Sequence, residues 1–129
     1  MSNAATKHDF VAVRIAVLTV SDSRSLDDDK SGDTLVARLQ AAGHILADRD
    51  ISTDDRAVIA EKLRQWSRDA SIDVVLSTGG TGLTGRDVSV EAHRDVYEKE
   101  IDAFSTVFTY ISMQKIGTSA IQSRATGGV

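Results

Sequence analysis

From Val11 to Val20 the chain reads Val-Ala-Val-Arg-Ile-Ala-Val-Leu-Thr-Val, with hardly a polar break. A strand with one wet face alternates polar and apolar residues. A run this apolar and β-branched is a strand covered on both faces, the mark of a parallel sheet between layers of helix. The remaining pattern agrees. Strands are expected at Ile45–Ile51 and Ile72–Leu76, and helical spacing fills the stretches between. Leu35, Leu39 and Ala42 mark a first helix, with Asp33 or Ser31 as its cap and Gly43 as its stop. Ser52-Thr53-Asp54-Asp55 opens a second, whose inner face is Ile59, Leu63, Trp66 and Ala70, with Trp66 in the core. A third begins with Ser89 as N-cap and Glu91 in its first turn. A fourth, amphipathic helix runs from Ile101 to Ile116, with Phe104, Phe108 and Ile111 on one face, and Gly117 ends it. Thr118–Arg124 then returns towards the sheet. Strand–helix alternation of this kind predicts a parallel sheet with helices on both faces.

At 129 residues the natural expectation is one domain, over residues 10–129. Residues 1–9 read as a tag remnant and N-terminal tail, since Met1-Ser2-Asn3-Ala4 resembles a fusion scar. A hydrophobic content of 41% and a charged content of 26% suit a globular domain. The net charge of −4 argues against a broad nucleic-acid footprint. The chain has no cysteine, which removes disulfides, thiolate nucleophiles and sulfur-bound zinc, and fits a reducing, cytoplasmic setting. No apolar run is long enough to span a bilayer. His8, His44 and His93 lack ligand-like spacing and read as surface residues. No histidine falls near a plausible nucleophile, so no Ser/His/Asp arrangement is expected.

The chemistry concentrates in Ser77-Thr78-Gly79-Gly80-Thr81-Gly82-Leu83-Thr84-Gly85-Arg86-Asp87, between an expected strand and an expected helix. Four of the seven residues from Gly79 to Gly85 are glycine, in a chain with nine. A strand, a glycine-rich turn and a helix in that order form an anion site, because bare backbone N–H groups and the helix dipole face the ligand. Residues Gly80 to Gly85 match G-x-G-x-x-G, but the next 30 or so residues read as helix, where a dinucleotide site needs an acidic residue about 20 positions on. The P-loop pattern also fails, because Arg86 and Asp87 stand where Lys and Ser/Thr belong. A carboxylate beside a phosphate is repulsive unless a metal lies between them, which points to Mg²⁺-bridged nucleotide chemistry. Ser21-Asp22-Ser23-Arg24-Ser25, just past the first strand, is a second hydroxyl-rich ligand loop. Asp27-Asp28-Asp29 after it reads as a solvated turn.

Together these motifs resemble the molybdenum-cofactor biosynthesis family of MoaB and MogA, which shares its fold with the gephyrin G domain. The resemblance rests on Ser77–Gly82, on Arg86-Asp87-Val88-Ser89 with Glu91-Ala92, on Thr19–Arg24, on Asp54-Asp55-Arg56, and on Lys115–Arg124, which is closer to MoaB. It implies a three-layer αβα domain with a mostly parallel sheet, assembling as a homotrimer or a dimer of trimers. It further implies adenylylation of molybdopterin: the terminal phosphate of molybdopterin attacks the α-phosphate of Mg-ATP and pyrophosphate leaves. By motif, Asp54 and Asp87 are the catalytic carboxylates and the candidate Mg²⁺ ligands. Thr81 and Ser123 fall on the pterin-phosphate contacts, Gly79, Gly80 and Gly82 line the loop, and Ser21 joins the substrate-binding set. Val90 stands where the family usually has proline, a tolerable change at the first turn of a helix. The family continues through a further strand and a Leu-Pro-Gly-type loop, so the resemblance implies a chain truncated at its C-terminus. The alternatives are a non-catalytic molybdopterin-binding or assembly protein of the same fold and, more weakly, a fragment of a dinucleotide-dependent oxidoreductase.

Overall fold

The computed structural model describes residues 8–129, so most of the expected tag and tail lies outside the described residues. Three strands, β1 (Arg14–Val20), β2 (Ile45–Ser52) and β3 (Val74–Thr78), form one sheet in the order β2-β1-β3, and both pairings are parallel. Helices α1 (Lys30–Ala41), α2 (Arg56–Ser67), α3 (Ser89–Arg94) and α4 (Asp102–Ile116) follow the strands. Short 3₁₀ turns occupy Leu26–Asp28 and Gly117–Gln122.

The unbroken apolar run does become the central strand. Every residue from Ile15 to Val20 is buried, and the two-residue period of a strand sorts them into two layers. Ile15 and Val17 pack with Leu39 of α1. Ala16, Leu18 and Val20 pack with Ile59, Leu63 and Trp66 of α2 and with Ala92 of α3. Helices therefore cover both faces, and the fold is the expected three-layer αβα arrangement. Burying these side chains is the dominant favourable term in folding, at roughly 25 cal/mol per Å² of apolar area removed from water.

Several local expectations change. The first helix is capped by Asp29, not Asp33 or Ser31: its side chain accepts the Gly32 N–H at 3.0 Å. Asp29 is not solvated at all. It is fully buried, accepts the Thr19 hydroxyl at 2.6 Å, and pairs with Arg49 at 3.1 Å. A buried carboxylate needs such partners, and the strand supplies them. Helix α2 is capped by Asp55, which accepts from Val58 N at 3.1 Å, so Asp54 is left out of the cap. Ala70 lies beyond α2 and is exposed. Helix α3 starts at Ser89 itself, after Val88. Trp66 is in the core as expected, and its indole N–H donates to Asp48 at 3.1 Å. Helix α4 has no buried residue; Phe104 lies against Gly127, and most of its apolar face is exposed among the described residues. After Gly117 (φ +68°) the chain does not rejoin the sheet. It returns to the glycine loop, where Arg124 N donates to Thr81 O at 2.8 Å, and Gly128 bridges antiparallel to Glu100.

Candidate functional site

Because all three strands run the same way, the segments after β1, β2 and β3 emerge at one edge of the sheet. That edge, at the point where strand order reverses about β1, is where open α/β sheets bind ligands. The topology thus gathers Ser21–Arg24, Thr53–Asp55 and Gly79–Asp87, which are remote in sequence.

The glycine loop is built from inside. Gly79 (φ +96°) and Gly80 (φ +68°) both take the left-handed backbone that other residues avoid. A Cβ on Gly79 would run into the Val20 carbonyl oxygen, and one on Gly80 into the Ser89 hydroxyl. Ser89 in turn donates to Gly79 O at 2.7 Å and its N–H donates to Gly80 O at 3.1 Å, clamping the loop onto α3. Gly82 faces Asp87, whose Oδ2 would lie 2.5 Å from an added Cβ, whereas Gly85 is open, with nothing within 4 Å. Two glycines are therefore demanded by the backbone and one by the neighbouring carboxylate.

The two candidate catalytic carboxylates stand on this rim in different states. Asp87 closes its own loop: Oδ2 accepts from Thr84 N at 3.0 Å and from Thr84 Oγ1 at 2.8 Å. The hydroxyl contact, backed by the N–H, holds its carboxyl below the usual range. Asp54 is pushed the other way. Burial raises its carboxyl, and the charges of Asp22 and, more weakly, Asp87 add to the rise. Asp54 Oδ1 lies 3.3 Å from where a Gly80 Cβ would sit, so the carboxylate faces the loop. Asp22 joins them by accepting the Asp54 backbone N–H at 2.9 Å and by pairing with Arg86. That N–H and the guanidinium keep the Asp22 carboxyl low.

Thr81 and Ser123 line a second part of the site with Gly79, a cleft of about 750 Å³ running along β3 to Tyr97, Phe104 and Phe108. Gly80, Gly82, Asp54, Asp87 and Ser21 do not line that cleft. The cleft and the carboxylate rim meet at Gly79–Thr81. Arg124 fastens this junction: it donates to Gly82 O at 3.0 Å, to Asp87 O at 2.8 Å, and to Glu91 through two nitrogens. Ser21 turns its Oγ to the N–H groups of Ser23 and Arg24, at 3.3 and 3.2 Å, and so shapes its own turn.

His93 is not a surface residue. It is half-buried at the base of the cleft, with Nε2 2.8 Å from Ser77 Oγ and Nδ1 2.6 Å from Ser89 O. The carbonyl can only accept, so Nδ1 carries the proton and Nε2 accepts from Ser77. Burial lowers the basicity of the ring below its ordinary value. A serine and a histidine do therefore meet, contrary to expectation. A carbonyl rather than a carboxylate orients the ring, so the third member of a nucleophilic triad is missing. The positions missed by sequence reasoning are Asp22, His93 and Arg124. Asp22 sat inside a quoted motif, but its partners come from other loops. Arg124 stands at the end of the Lys115–Arg124 motif, and its partners Gly82, Asp87 and Glu91 lie more than 30 residues away in sequence.

The family described as "Probable molybdopterin binding domain" matches residues 16–129. The chain belongs to this family of molybdenum cofactor biosynthesis. It is 42% identical to molybdenum cofactor biosynthesis protein B of Escherichia coli over 129 residues, which is 100% of this chain and 75% of that one. It is 40% identical to the protein of the same name in Bacillus subtilis, over 91% of this chain and 69% of that one. A crystal structure of molybdenum cofactor biosynthesis protein B superposes with a TM-score of 0.89 at 41% identity, covering 92% of this chain and 74% of that one. The tungsten cofactor synthesizing protein MoaB of Pyrococcus furiosus superposes at 0.78 with 31% identity, over 91% and 72% respectively. MogA, at 21% identity and a TM-score of 0.79, shares the fold. Membership of the molybdopterin-binding family matches the resemblance to MoaB, and the glycine loop and both aspartates lie inside the matched region.

Proposed function

We propose that this member of the family binds molybdopterin and transfers AMP to it from Mg-ATP. The observation that carries this reading is that Asp54 and Asp87 both face the glycine loop, Asp54 Oδ1 3.3 Å from where a Gly80 Cβ would sit and Asp87 Oδ2 2.5 Å from where a Gly82 Cβ would sit. Thr81 and Ser123 would take the pterin phosphate, with backbone N–H groups of the glycine loop beside them. In the reaction a phosphate oxygen of molybdopterin bonds to the α-phosphorus of ATP, the bond from that phosphorus to the β-bridging oxygen breaks, and pyrophosphate leaves. The chain's part is to hold the two phosphates in line and to balance their charge.

The rim suits Mg²⁺. It places the Asp54 and Asp87 carboxylates on the two sides of the glycine loop, and Asp54, whose carboxyl is raised by burial and by the charge of Asp22, is a group whose ionised form a hard divalent cation would favour. Among the described residues no cluster of three or more metal-ligating side chains exists. Asp54 and Asp87 would be the two protein ligands, with phosphate and water completing the shell, a usual arrangement for this ion. When bound, Mg²⁺ would neutralise phosphate charge and polarise the α-phosphate. The cytoplasm is the setting we assign to this chemistry. No helix among the described residues is long and apolar enough to cross a membrane. We also propose a homo-oligomer, a trimer or a dimer of trimers, supported by the exposed apolar side chains of α4.

The test compares Asp54→Asn and Asp87→Asn with Asp55→Ala. Each of the first two is expected to cut AMP transfer by several orders of magnitude with little change in melting temperature. Asp55→Ala removes only a helix cap and should cost about 1 kcal/mol of stability while transfer persists. Wild-type transfer by Asp87→Asn at saturating Mg²⁺ would overturn the catalytic reading. Molybdopterin binding without transfer in the wild type would establish the non-catalytic alternative.

A further inference from the structure

The ion pair between Arg86 and Asp22 has no part in the chemistry above. Arg86 belongs to the glycine loop, yet its guanidinium turns to the segment after β1. Its Nε lies 3.2 Å from Asp22 Oδ2, and a terminal nitrogen also contacts that oxygen. The two ends of the pair are held unequally. Asp22 has a second anchor, because its Oδ1 accepts the Asp54 N–H at 2.9 Å. Arg86 has no other hydrogen-bond partner among the described residues, and its side chain is 69% exposed. Breaking the pair therefore releases the arginine and leaves the aspartate in place, where its 44% exposed side chain stays solvated. Arg124 cannot be released in this way, since the carbonyls of Gly82 and Asp87 and the Glu91 carboxylate all hold it.

We propose that Arg86 is an anion ligand held in reserve, which Asp22 parks beside the glycine loop until a ligand phosphate takes it over. An exposed single pair of this kind contributes little in water, so its loss is cheap. A phosphate offers the planar guanidinium a bidentate and more highly charged partner. The exchange also turns a cation already at this rim of carboxylates towards the ligand, where an incoming phosphate would otherwise be repelled. Asp22 is then a positioning residue: it sets where Arg86 waits and how the Asp54 turn is held, and it does not touch ligand. The proposal rests on reading the loop as a phosphate site, and it adds a residue and a sequence of events to that reading.

Loss of Arg86 should weaken binding and loss of the Asp22 charge should not, a difference that a purely structural brace would not produce. The probe is inorganic pyrophosphate with Mg²⁺, titrated by calorimetry, with melting temperatures recorded in parallel. Arg86→Gln is expected to weaken binding about tenfold or more, the usual consequence of losing a charged hydrogen bond. Arg86→Lys keeps the charge without the fork and should fall between Arg86→Gln and the wild type. Asp22→Asn retains an amide oxygen for the Asp54 N–H but frees Arg86, so binding should be as tight as in the wild type or tighter. The double variant should bind like Arg86→Gln. Equal weakening by Arg86→Gln and Asp22→Asn would overturn the proposal, as would unchanged binding in Arg86→Gln or no pyrophosphate binding by the wild type. AMP transfer by the wild type is measured alongside. Its absence, with the unequal pyrophosphate responses intact, would remove the adenylylation reading and leave Arg86 as an anion ligand.

Discussion

Asp54 and Asp55 are identical neighbours with unlike work, and only their surroundings separate them. Asp55 takes the extended backbone of an N-cap and accepts from Val58 N, while Asp54 turns to the glycine loop. Asp29 makes the same point from the other side: in sequence it ends a run of three aspartates, yet it is buried against Thr19, Gly32 and Arg49. Burial opposes its ionisation, but the Thr19 hydroxyl, the Gly32 N–H and Arg49 outweigh that and keep the carboxyl low. Glycines divide just as sharply. Gly80→Ala forces a side chain into left-handed backbone and onto Ser89, so a loss of about 1–3 kcal/mol is expected. Gly85→Ala meets open space without positive φ and should change stability by less than about 0.5 kcal/mol. Urea denaturation of the two variants checks the contrast. A large loss at Gly85 would show that the loop is tighter than its geometry indicates. Gly80 is also a poor place to probe ligand approach, because its missing side chain faces the protein.

Among the elements, α3 carries a pH dependence. His93 donates from Nδ1 to Ser89 O and accepts from Ser77 of β3, so the neutral ring ties helix to strand. Burial first, against a weaker opposing hydrogen bond from Ser89, puts its folded pKa below the ordinary 6.5. The unfolded chain then binds the proton first as pH falls. The stabilisation is complete above the unfolded pKa and is lost as pH drops through 6.5 towards the folded value. Melting temperature should accordingly fall between about pH 7 and pH 5, and His93→Gln should flatten that slope. A variant with the wild-type slope would place the sensitivity elsewhere. Helix α4 poses a different question. Its fifteen residues carry two charged side chains, Asp102 and Lys115, and it buries none of its residues. Phe104 and Phe108 stack on each other with ring centroids 6.0 Å apart while both remain nearly half exposed.

At the scale of the whole molecule, that apolar helix underlies the expected homo-oligomer. Light scattering at micromolar concentration should give a multiple of the 13.8 kDa subunit, and Phe108→Glu should shift it towards the monomer. A wild-type monomer with full AMP transfer would contradict this. The layered fold, the central place of Val11–Val20 and the tight, glycine-dependent turn after the third strand were legible in sequence. Each depends on a short-range signal: side chains alternating across a strand, apolar spacing along a helix, or glycine where φ is positive. The family resemblance added Asp54, Asp87, Thr81 and Ser123 by motif. The partners of these residues were not legible. Asp22 with Arg86, Ser77 with His93 and Arg124 with Glu91 are each contacts between segments that meet only after the sheet has formed. Burial has the same origin, which is why Asp29 and His93 looked like surface residues. Periodicity along the chain decides which elements form and which faces turn inward. Only tertiary packing decides which charges share a site, because parallel strands bring distant loops to the same edge.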